Sequence, residues 1–409
     1  MAEGRISEVP NRGFASDELR RHNLAAVLGR LHDRGPMTRS QLAKQTGLNR
    51  STIRDLIGEL TDLGLVVENK GAPRAGPGRP SSVARVSPAG AVVLAVELEV
   101  DSIAVATIGL GGHKFGEARQ DNTPTNTTPE SVVERLVGLA EPLLKGLPPE
   151  HTLVGMGVAV AGVVRRSDGF VHVAPNLGWQ EVAIGDMLRS RFAADLVRVA
   201  NEADLGALGE LRRGLGQNSK QLVFVAGEVG LGIGIITEGV PMLGASGYAG
   251  EAGHMVINPE GRQCRCGAIG CWETEVGEEA LIRRAGLCDW PGERALEELL
   301  RRAEEGRPET RAALADVGRW LGLGIGNLIN TFNPDLVIVG GFIHALYPYM
   351  VGEMETAAGE IALAPAWEAC RIERSQLGAD AMLVGASELV LGEVITDPSA
   401  LIDRRSSVG

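Results

Sequence analysis

An alternation of apolar runs and helical patterns, which begins near residue 88, constrains the fold of this chain more than any other feature. The runs are rich in Val and Ile and are typical of strands: "GAVVLAVELEV", "SIAVATIGL", "LVGMGVAVAGVV", "QLVFVAGEVGLGIGIIT" and "DLVIVGG". Helical patterns lie at 130–145, 185–194, 202–213, 276–304 and 308–332. Strands that alternate with helices indicate an α/β architecture. A last apolar segment, 378–394, is expected to form a helix that packs back on this body.

The N-terminal segment differs from this body in its charge. Residues 1–85 contain 14 Lys and Arg against 9 Asp and Glu, a formal charge of +5, whereas residues 86–409 carry −17. A small basic head on a large acidic body indicates that the head alone binds nucleic acid, although chance variation in surface charge could produce the same difference. We expect two domains, at 1–87 and 88–409.

The head contains the pattern of a helix-turn-helix. A helix is expected at 17–35, and a short helix that Thr38 caps ends near Thr46. Gly47 suits the turn, and a second helix follows with an apolar face from Ile53 to Leu63. An ordinary αα-hairpin is the alternative. In a helix-turn-helix the N-terminal end of the second helix enters the major groove, so we expect DNA contacts from Thr38, Arg39, Asn49, Arg50, Ser51, Thr52 and Arg54.

Two short strand patterns, at 65–69 and 81–87, follow these helices. The Pro- and Gly-rich stretch between them, "KGAPRAGPGRP", carries Lys70, Arg74 and Arg79. A β-hairpin wing with this tip would place the three cations on phosphates or in a minor groove. A plain interdomain linker has the same composition and is an equally good interpretation.

Two motifs in the body have a specific spacing. "GEAGH" occupies 250–254, and "CRCGAIGCWE" occupies 264–273 with three of the five cysteines of the chain. Together they fit E-x-G-H followed by C-x-C-G-x-x-G-C-x-E, and on these motifs the chain resembles the ROK family (repressor, open reading frame, kinase) along essentially its whole length. The resemblance implies a two-lobed actin-like body of the sugar kinase and ribonuclease H type. It also implies the winged helix-turn-helix head of the repressor members.

The chemistry of the cysteine motif supports this resemblance independently. Zn²⁺ prefers four nitrogen or sulfur ligands in a tetrahedron. One imidazole and three thiols are available, from His254, Cys264, Cys266 and Cys271, and the glycines between the cysteines allow a tight loop. We therefore predict a structural zinc ion. Three reduced thiols without a ligand are the alternative, although clustered exposed thiols are prone to oxidation. The odd cysteine count does not suggest a disulfide framework.

The resemblance also implies a sugar site. The family motifs place six residues where they would contact sugar hydroxyls: Asn176, Asn201, Glu202, Glu251, His254 and Glu273. Carboxylates, amides and a ring N–H can each make directional hydrogen bonds to vicinal hydroxyls. Any one of these carboxylates alone would more often be a solvated surface charge, so the expectation depends on their joint placement in the motifs.

The motifs that hold ATP phosphates in ROK kinases are altered in this chain. "ELEVDS" (97–102) stands where kinases have D-x-G-G-T, so that Glu99 and Val100 replace glycines and Asp101 replaces the threonine. "EVG" (228–230) stands where kinases have G-T-G. Side chains at these positions block a close approach of the backbone to phosphate, and carboxylates repel it. Glu202 replaces the catalytic aspartate of the kinases, and we predict no catalytic residue.

These patterns together predict a sugar-responsive transcriptional repressor. Its expected partners are double-stranded operator DNA and a small sugar effector, and it is expected to be a homodimer or homotetramer. No apolar run reaches the roughly 18 residues of a membrane helix and no signal peptide is evident, so a cytoplasmic protein is expected. Two alternatives remain. One is an ATP-dependent sugar kinase with an added DNA-binding head, and the other is a ligand-independent DNA-binding protein with a vestigial sugar site.

Overall fold

The computed structural model describes residues 16–70, 82–99, 102–121, 128–290 and 292–400. The chain divides into two compact units, one formed by Met1–Gly90 with Gly392–Gly409 and the other by Ala91–Leu391. Among the described residues, no helix combines the length and the apolar character that crossing a bilayer requires.

The first unit contains three helices and a three-stranded antiparallel sheet in the order β1-β3-β2. The elements are α1 Ser16–Arg34, β1 Met37–Thr38, α2 Arg39–Thr46, α3 Arg50–Asp62, β2 Val66–Lys70 and β3 Ser82–Val86. The predicted apolar face of α3 is buried, with Ile53 and Leu60 fully enclosed. This is the arrangement of a winged helix-turn-helix, as the sequence predicted.

Local hydrogen bonds explain where these helices begin and end. Thr38 and Gln41 form the predicted capping box at the start of α2. Gly47 ends α2 with a φ of 74°, which a residue with a side chain adopts at a cost. Asn49 is the N-cap of α3. The structure shows that Asn49 accepts a hydrogen bond from the Thr52 backbone at 2.9 Å, and that Ser51 donates to Asn49.

The second unit is an α/β body whose helices and strands alternate as predicted. Its strands are β4 Val92–Leu98, β5 Ser102–Gly109, β6 His113–Asp121, β7 Leu153–Val160, β8 Val163–Arg165, β9 Phe170–Ala174, β10 Trp179–Val182, β11 Val197–Asn201, β12 Gln221–Gly227, β13 Leu231–Thr237, β14 Val240–Pro241, β15 Leu336–Gly341 and β16 Arg371–Arg374. Its helices are α4 Pro129–Gly146, α5 Ile184–Phe192, α6 Glu202–Arg213, α7 Trp272–Val276, α8 Glu278–Arg284, α9 Gly292–Glu304, α10 Pro308–Phe332, α11 Phe342–Ile361 and α12 Ala364–Ala369. The last helix, α13, spans Ala381–Thr396.

Two five-stranded sheets form two lobes. The sheet of the first lobe has the order β11-β7-β4-β5-β6, and that of the second has the order β14-β13-β12-β15-β16. Helix α6 and the start of α13 share one core with strands of both sheets. The contacts are close: a Cβ on Gly206 of α6 would lie 2.3 Å from the Phe224 ring, and one on Gly157 of β7 would lie 2.0 Å from the Ala386 carbonyl. The body therefore holds its lobes together through α6 and α13.

The structure corrects the sequence prediction in two places. The continuous helix expected at 276–304 is broken, because α8 ends at Arg284 and α9 begins only at Gly292. Gly286, with a φ of 66°, lies in the break. The long run at 221–237 forms two antiparallel strands, β12 and β13, rather than one element. Helix α11, which contains Pro348 within its length, was not predicted.

Candidate functional site

The four residues predicted to bind a metal lie together in the second lobe. The potential ligand atoms of His254, Cys264, Cys266 and Cys271 all lie within 4.8 Å of one another. The Cys264 thiol lies 3.6 Å from His254 Nδ1, and the Cys266 and Cys271 thiols lie 3.6 Å apart. A tetrahedron with metal–sulfur bonds of about 2.3 Å has edges of roughly 3.8 Å. The cluster can therefore hold one metal ion.

Two features of the loop fix this cluster. Gly270 has a φ of 78°, and a Cβ there would lie 1.7 Å from the Asn258 carbonyl, so the chain can turn only with glycine at this position. Trp272 follows the last cysteine and is fully buried, and its indole N–H donates to the Trp320 carbonyl at 3.0 Å. The buried indole therefore packs one end of the metal loop, residues 264–271, on helix α10.

The protonation of the thiols depends on their surroundings. Burial raises the pKa of Cys264 and raises that of Cys271 to about 12, whereas the Ala268 N–H lowers the pKa of Cys266. Without a metal, Cys264 and Cys271 therefore keep their protons at neutral pH. Metal binding must release these protons, because a thiolate and not a thiol is the ligand.

Three predicted sugar contacts surround the metal cluster. Glu273 lies with one carboxylate oxygen 3.7 Å from the Cys264 sulfur, and its other oxygen accepts a hydrogen bond from the Leu231 N–H. His254 directs Nδ1 at Cys264, while its Nε2 lies 3.9 Å from a Glu251 oxygen. The two ring nitrogens of His254 can therefore serve both predicted roles, one as a metal ligand and the other as a donor to a hydroxyl.

Asn201 and Glu251 line a small cavity together with Asp204, which the sequence did not single out. Asn201 caps α6: its Oδ1 accepts from the Ala203 N–H at 2.8 Å, and its amide donates to the Gly162 carbonyl at 3.0 Å. Burial raises the pKa of Asp204 to about 6. Asn201 thus holds the strand-to-helix turn, and Asp204 places a buried carboxyl beside it.

Glu202 and Asn176 line a larger cavity of about 330 Å³ between the lobes of the second unit. Glu202 is 8% exposed, and its burial and the neighbouring Glu99 raise its pKa to about 8. Glu99 and Glu228 also line this cavity, so the two altered phosphate motifs meet at one place. Val100 and Asp101 lie outside the described residues.

A partly buried ion-pair network occupies the side of this cavity where β4 turns into β5. The Arg119 guanidinium, from β6, binds a Glu97 oxygen and a Glu99 oxygen at 3.0 Å each. Ser102 donates a hydrogen bond to Glu99, and Arg119 donates to the Ser102 oxygen at 2.9 Å. Burial raises the pKa of Glu97 well above its usual range. Sequence reasoning missed Arg119, because nothing in its own strand marks it as a partner of the hairpin.

Asn176 has a second contact that the sequence did not predict. Its side-chain oxygen accepts a hydrogen bond from Arg265, which lies between two of the predicted metal ligands and also pairs with Glu279. The metal loop of the second lobe thus reaches a loop of the first lobe. The six predicted sugar contacts fall into three groups: Asn176 with Glu202, Asn201 with Glu251, and His254 with Glu273.

Five of the ten predicted DNA contacts of the head line one concave surface. This surface encloses about 450 Å³ and includes Thr38, Arg39, Ser40, Arg50, Ser51, Arg54 and Ser82. Thr38 and Asn49 serve as helix caps, and Arg39 pairs with Glu68. Thr52 follows on α3. Arg50 is exposed and forms no ion pair with another described residue. Arg74 and Arg79 lie outside the described residues, as does the side chain of Lys70.

A helix-turn-helix unit and a two-lobed α/β body with a Cys₃His cluster define the class of this protein, a helix-turn-helix protein with a sugar-kinase-like body. The ROK family profile matches residues 93–393, and the IclR helix-turn-helix domain profile matches residues 23–70. The chain belongs to the ROK family.

Three known proteins illustrate the similarity. The xylose repressor of Caldicellulosiruptor bescii is 29% identical over 393 residues, covering 93% of this chain and 98% of that protein. The crystal structure of a ROK family transcriptional regulator, a homologue of the Escherichia coli MLC protein, matches with a TM-score of 0.77 and 25% identity over 94% of this chain and 99% of that chain. A Streptomyces griseus ROK glucokinase in complex with glucose and AMPPNP matches with a TM-score of 0.65 and 27% identity, over 73% of this chain and 98% of that chain.

Proposed function

We propose that the protein is a sugar-responsive transcriptional repressor that acts in the cytoplasm as a homodimer or homotetramer and lacks kinase activity. The head binds operator DNA, and the ROK body binds a sugar between its lobes. Binding of the sugar changes the lobe arrangement and releases the operator, which requires that the sugar favour one arrangement over the other. The full-length similarity to a xylose repressor supports this function and makes an aldopentose the first sugar to test.

One observation supports the proposal: residues predicted to bind sugar hydroxyls line the same cavity as carboxylates of the two altered phosphate motifs. Asn176, Glu202 and the residues around His254 present hydroxyl-binding groups. Glu97, Arg119 and Glu99 close an ion-pair network where kinases need a phosphate-binding hairpin, and Glu228 adds a carboxylate to the same cavity. A triphosphate would have to approach the Glu99 and Glu228 carboxylates, which repel it.

The metal in the Cys₃His cluster is proposed to be Zn²⁺. Three sulfurs and one imidazole nitrogen are a ligand set that zinc favours, and a closed four-ligand site is typical of a structural rather than a catalytic zinc. Bound zinc would supply the energy that fixes the 264–271 loop. The loop in turn sets the positions of His254 Nε2, Glu273 and Arg265 at the cleft.

Kinase activity is the alternative function, and the protonation of Glu202 argues against it. A general base must be deprotonated to accept the proton of a sugar hydroxyl. A carboxyl with a pKa of about 8 holds its proton on most molecules at pH 7. Sugar-dependent release of ADP from ATP, lost in a Glu202→Gln variant, would revive the kinase function.

The proposal is tested by isothermal titration calorimetry of the zinc-loaded full-length protein with neutral sugars in the absence of ATP. We expect one aldose from a panel that includes xylose and glucose to bind with micromolar to millimolar affinity. The same sugar should release the protein from its operator. If operator affinity were unchanged across the whole panel, the ligand-independent alternative would replace this proposal.

Replacement of Arg50 by Ala is expected to weaken operator binding. Arg50 is exposed at the N-terminal end of α3 and is available for a base or phosphate contact. Loss of one such contact costs about 1–3 kcal/mol, and loss of a phosphate contact also lowers the salt dependence by about one counterion. Fluorescence anisotropy with a DNA fragment that the protein selects from a random pool measures both quantities.

A matched control for this prediction is Arg30→Ala, which removes the same charge from an exposed position on α1. Its operator affinity and salt dependence should stay close to those of the parent. Equal losses in both variants would show that net charge alone matters and that the N-terminal end of α3 does not enter the groove.

A further inference from the structure

A further cavity, of about 360 Å³, lies beside the metal loop, and three arginines line it. Arg265 lies in the metal loop, Arg262 lies just before it, and Arg283 comes from α8. Cys264 and Glu273 form part of the same wall, so this cavity borders the proposed sugar site. Neither the ROK motifs nor the proposed DNA surface accounts for these arginines.

Two of the three arginines have no carboxylate partner among the described residues. Arg265 pairs with Glu279 and donates to Asn176. Arg283 makes one long hydrogen bond, 3.5 Å, to the Thr274 carbonyl. Arg262 forms no side-chain hydrogen bond or ion pair with the rest of the described chain. The neighbouring Arg284 differs, because Glu275 and Asp316 both neutralise it.

Arg283 lies close to other positive charges. Burial lowers the pKa of Arg283, and the positive charges of Arg262 and Arg284 lower it further. Glu273 and Glu279 line the same cavity and offset part of this charge, but neither forms an ion pair with Arg283, so repulsion between the guanidinium groups remains as a cost. A bound anion would remove this cost. Guanidinium groups are suited to the task, since each can donate two parallel hydrogen bonds to phosphate oxygens.

We infer that this cavity binds a phosphate group through Arg262 and Arg283, and that the group is a phosphate ester on the sugar effector. The second half of the inference rests on the proposed function. Glu273 borders both the cavity and the sugar site, so a sugar whose hydroxyls meet Glu273 can place a phosphate between the arginines. The two guanidinium groups that have no carboxylate partner are free to donate hydrogen bonds to the phosphate oxygens.

The test is isothermal titration of the zinc-loaded full-length chain with paired probes: glucose and its 1- and 6-phosphates, xylose and its 1- and 5-phosphates, and inorganic phosphate alone. We expect at least one phosphate ester to bind tenfold or more tightly than its parent sugar. Arg262→Ala and Arg283→Gln should each remove that advantage and leave the affinity for the neutral sugar unchanged. Arg319→Ala, an exposed arginine outside the cavity, is the matched control and should change neither affinity.

The possible outcomes separate this inference from the proposed function. Neutral sugar that binds equally to parent and variants, with no advantage for any phosphate ester and no binding of inorganic phosphate, overturns the inference and leaves the sugar sensor intact. Inorganic phosphate that binds alone and is lost in both variants supports the cavity and shows that the anion is held independently of the sugar. Arg262 is exposed, so the Arg262→Ala variant keeps the test valid if Arg283→Gln fails to fold.

Discussion

Replacement of Cys264 by Ser is expected to remove the metal from the protein and abolish the response to sugar. Cys264 is 4% exposed, and its sulfur is close to both His254 and Glu273. Loss of one ligand leaves an incomplete tetrahedron, so metal analysis should fall from one zinc per chain to background. Loss of a structural metal is among the few changes that cost about 4 kcal/mol or more, and chemical denaturation should show a loss of that order for the body.

The cysteines outside the cluster provide the control for this prediction. Cys288 is exposed and lies outside the group of potential ligand atoms, so Cys288→Ser should keep one zinc per chain and the parent stability. The Cys264→Ser variant should still bind operator DNA, because the head has its own core. One zinc per chain in both variants would show that the ligand set is wrong, and metal-free parent protein of normal stability would show that the cluster has no structural role.

The sequence predicted best those features that depend on nearby residues. The helix expected at 308–332 has these bounds in the structure because Pro308 begins it and Asn333, with a φ of 46°, ends it. The cysteine spacing likewise predicted the metal-binding cluster, which consists of three cysteines in one loop and His254 just before that loop. Each of these features follows from short-range chemistry, namely a cap, a turn or a tetrahedral ligand set.

Features that depend on distant parts of the chain were not predicted. Arg119 joins Glu97 and Glu99 because β6 pairs with β5, and no pattern within β6 indicates this contact. The arginine-lined cavity arises because α8 packs beside the metal loop. Tertiary packing sets these two features, and no local pattern in a single sequence encodes them. The break between α8 and α9 differs, because Gly286 and Pro291 are local helix-breaking residues in the sequence that the prediction of one helix overlooked.

Replacement of Glu202 by Gln is expected to change how the stability of the body depends on pH. Burial and the nearby Glu99 raise the pKa of Glu202 from 4.5 to about 8 in the folded protein. The folded state then keeps a proton that the unfolded state releases near pH 4.5. Raising the pH through this window therefore favours the unfolded state, and the free energy of unfolding should fall by about 1.4 kcal/mol per pH unit between pH 5 and 8 from this group alone. The glutamine variant cannot lose a proton, so this part of the slope should disappear.

Urea denaturation of parent and variant from pH 5 to pH 8.5 measures the effect. The two proteins should have similar stability near pH 5, where the Glu202 carboxyl is neutral in the folded state, and the variant should be several kcal/mol more stable at pH 8. Glu150→Gln, an exposed substitution of the same kind, should give the profile of the parent. Parallel profiles for Glu202→Gln and the parent would mean that Glu202 is ionised in the folded protein at neutral pH. An ionised Glu202 would be able to accept the proton of a sugar hydroxyl. That result would remove the protonation argument against a kinase. The carboxylates at the two altered phosphate motifs would then be the main evidence for a sensor.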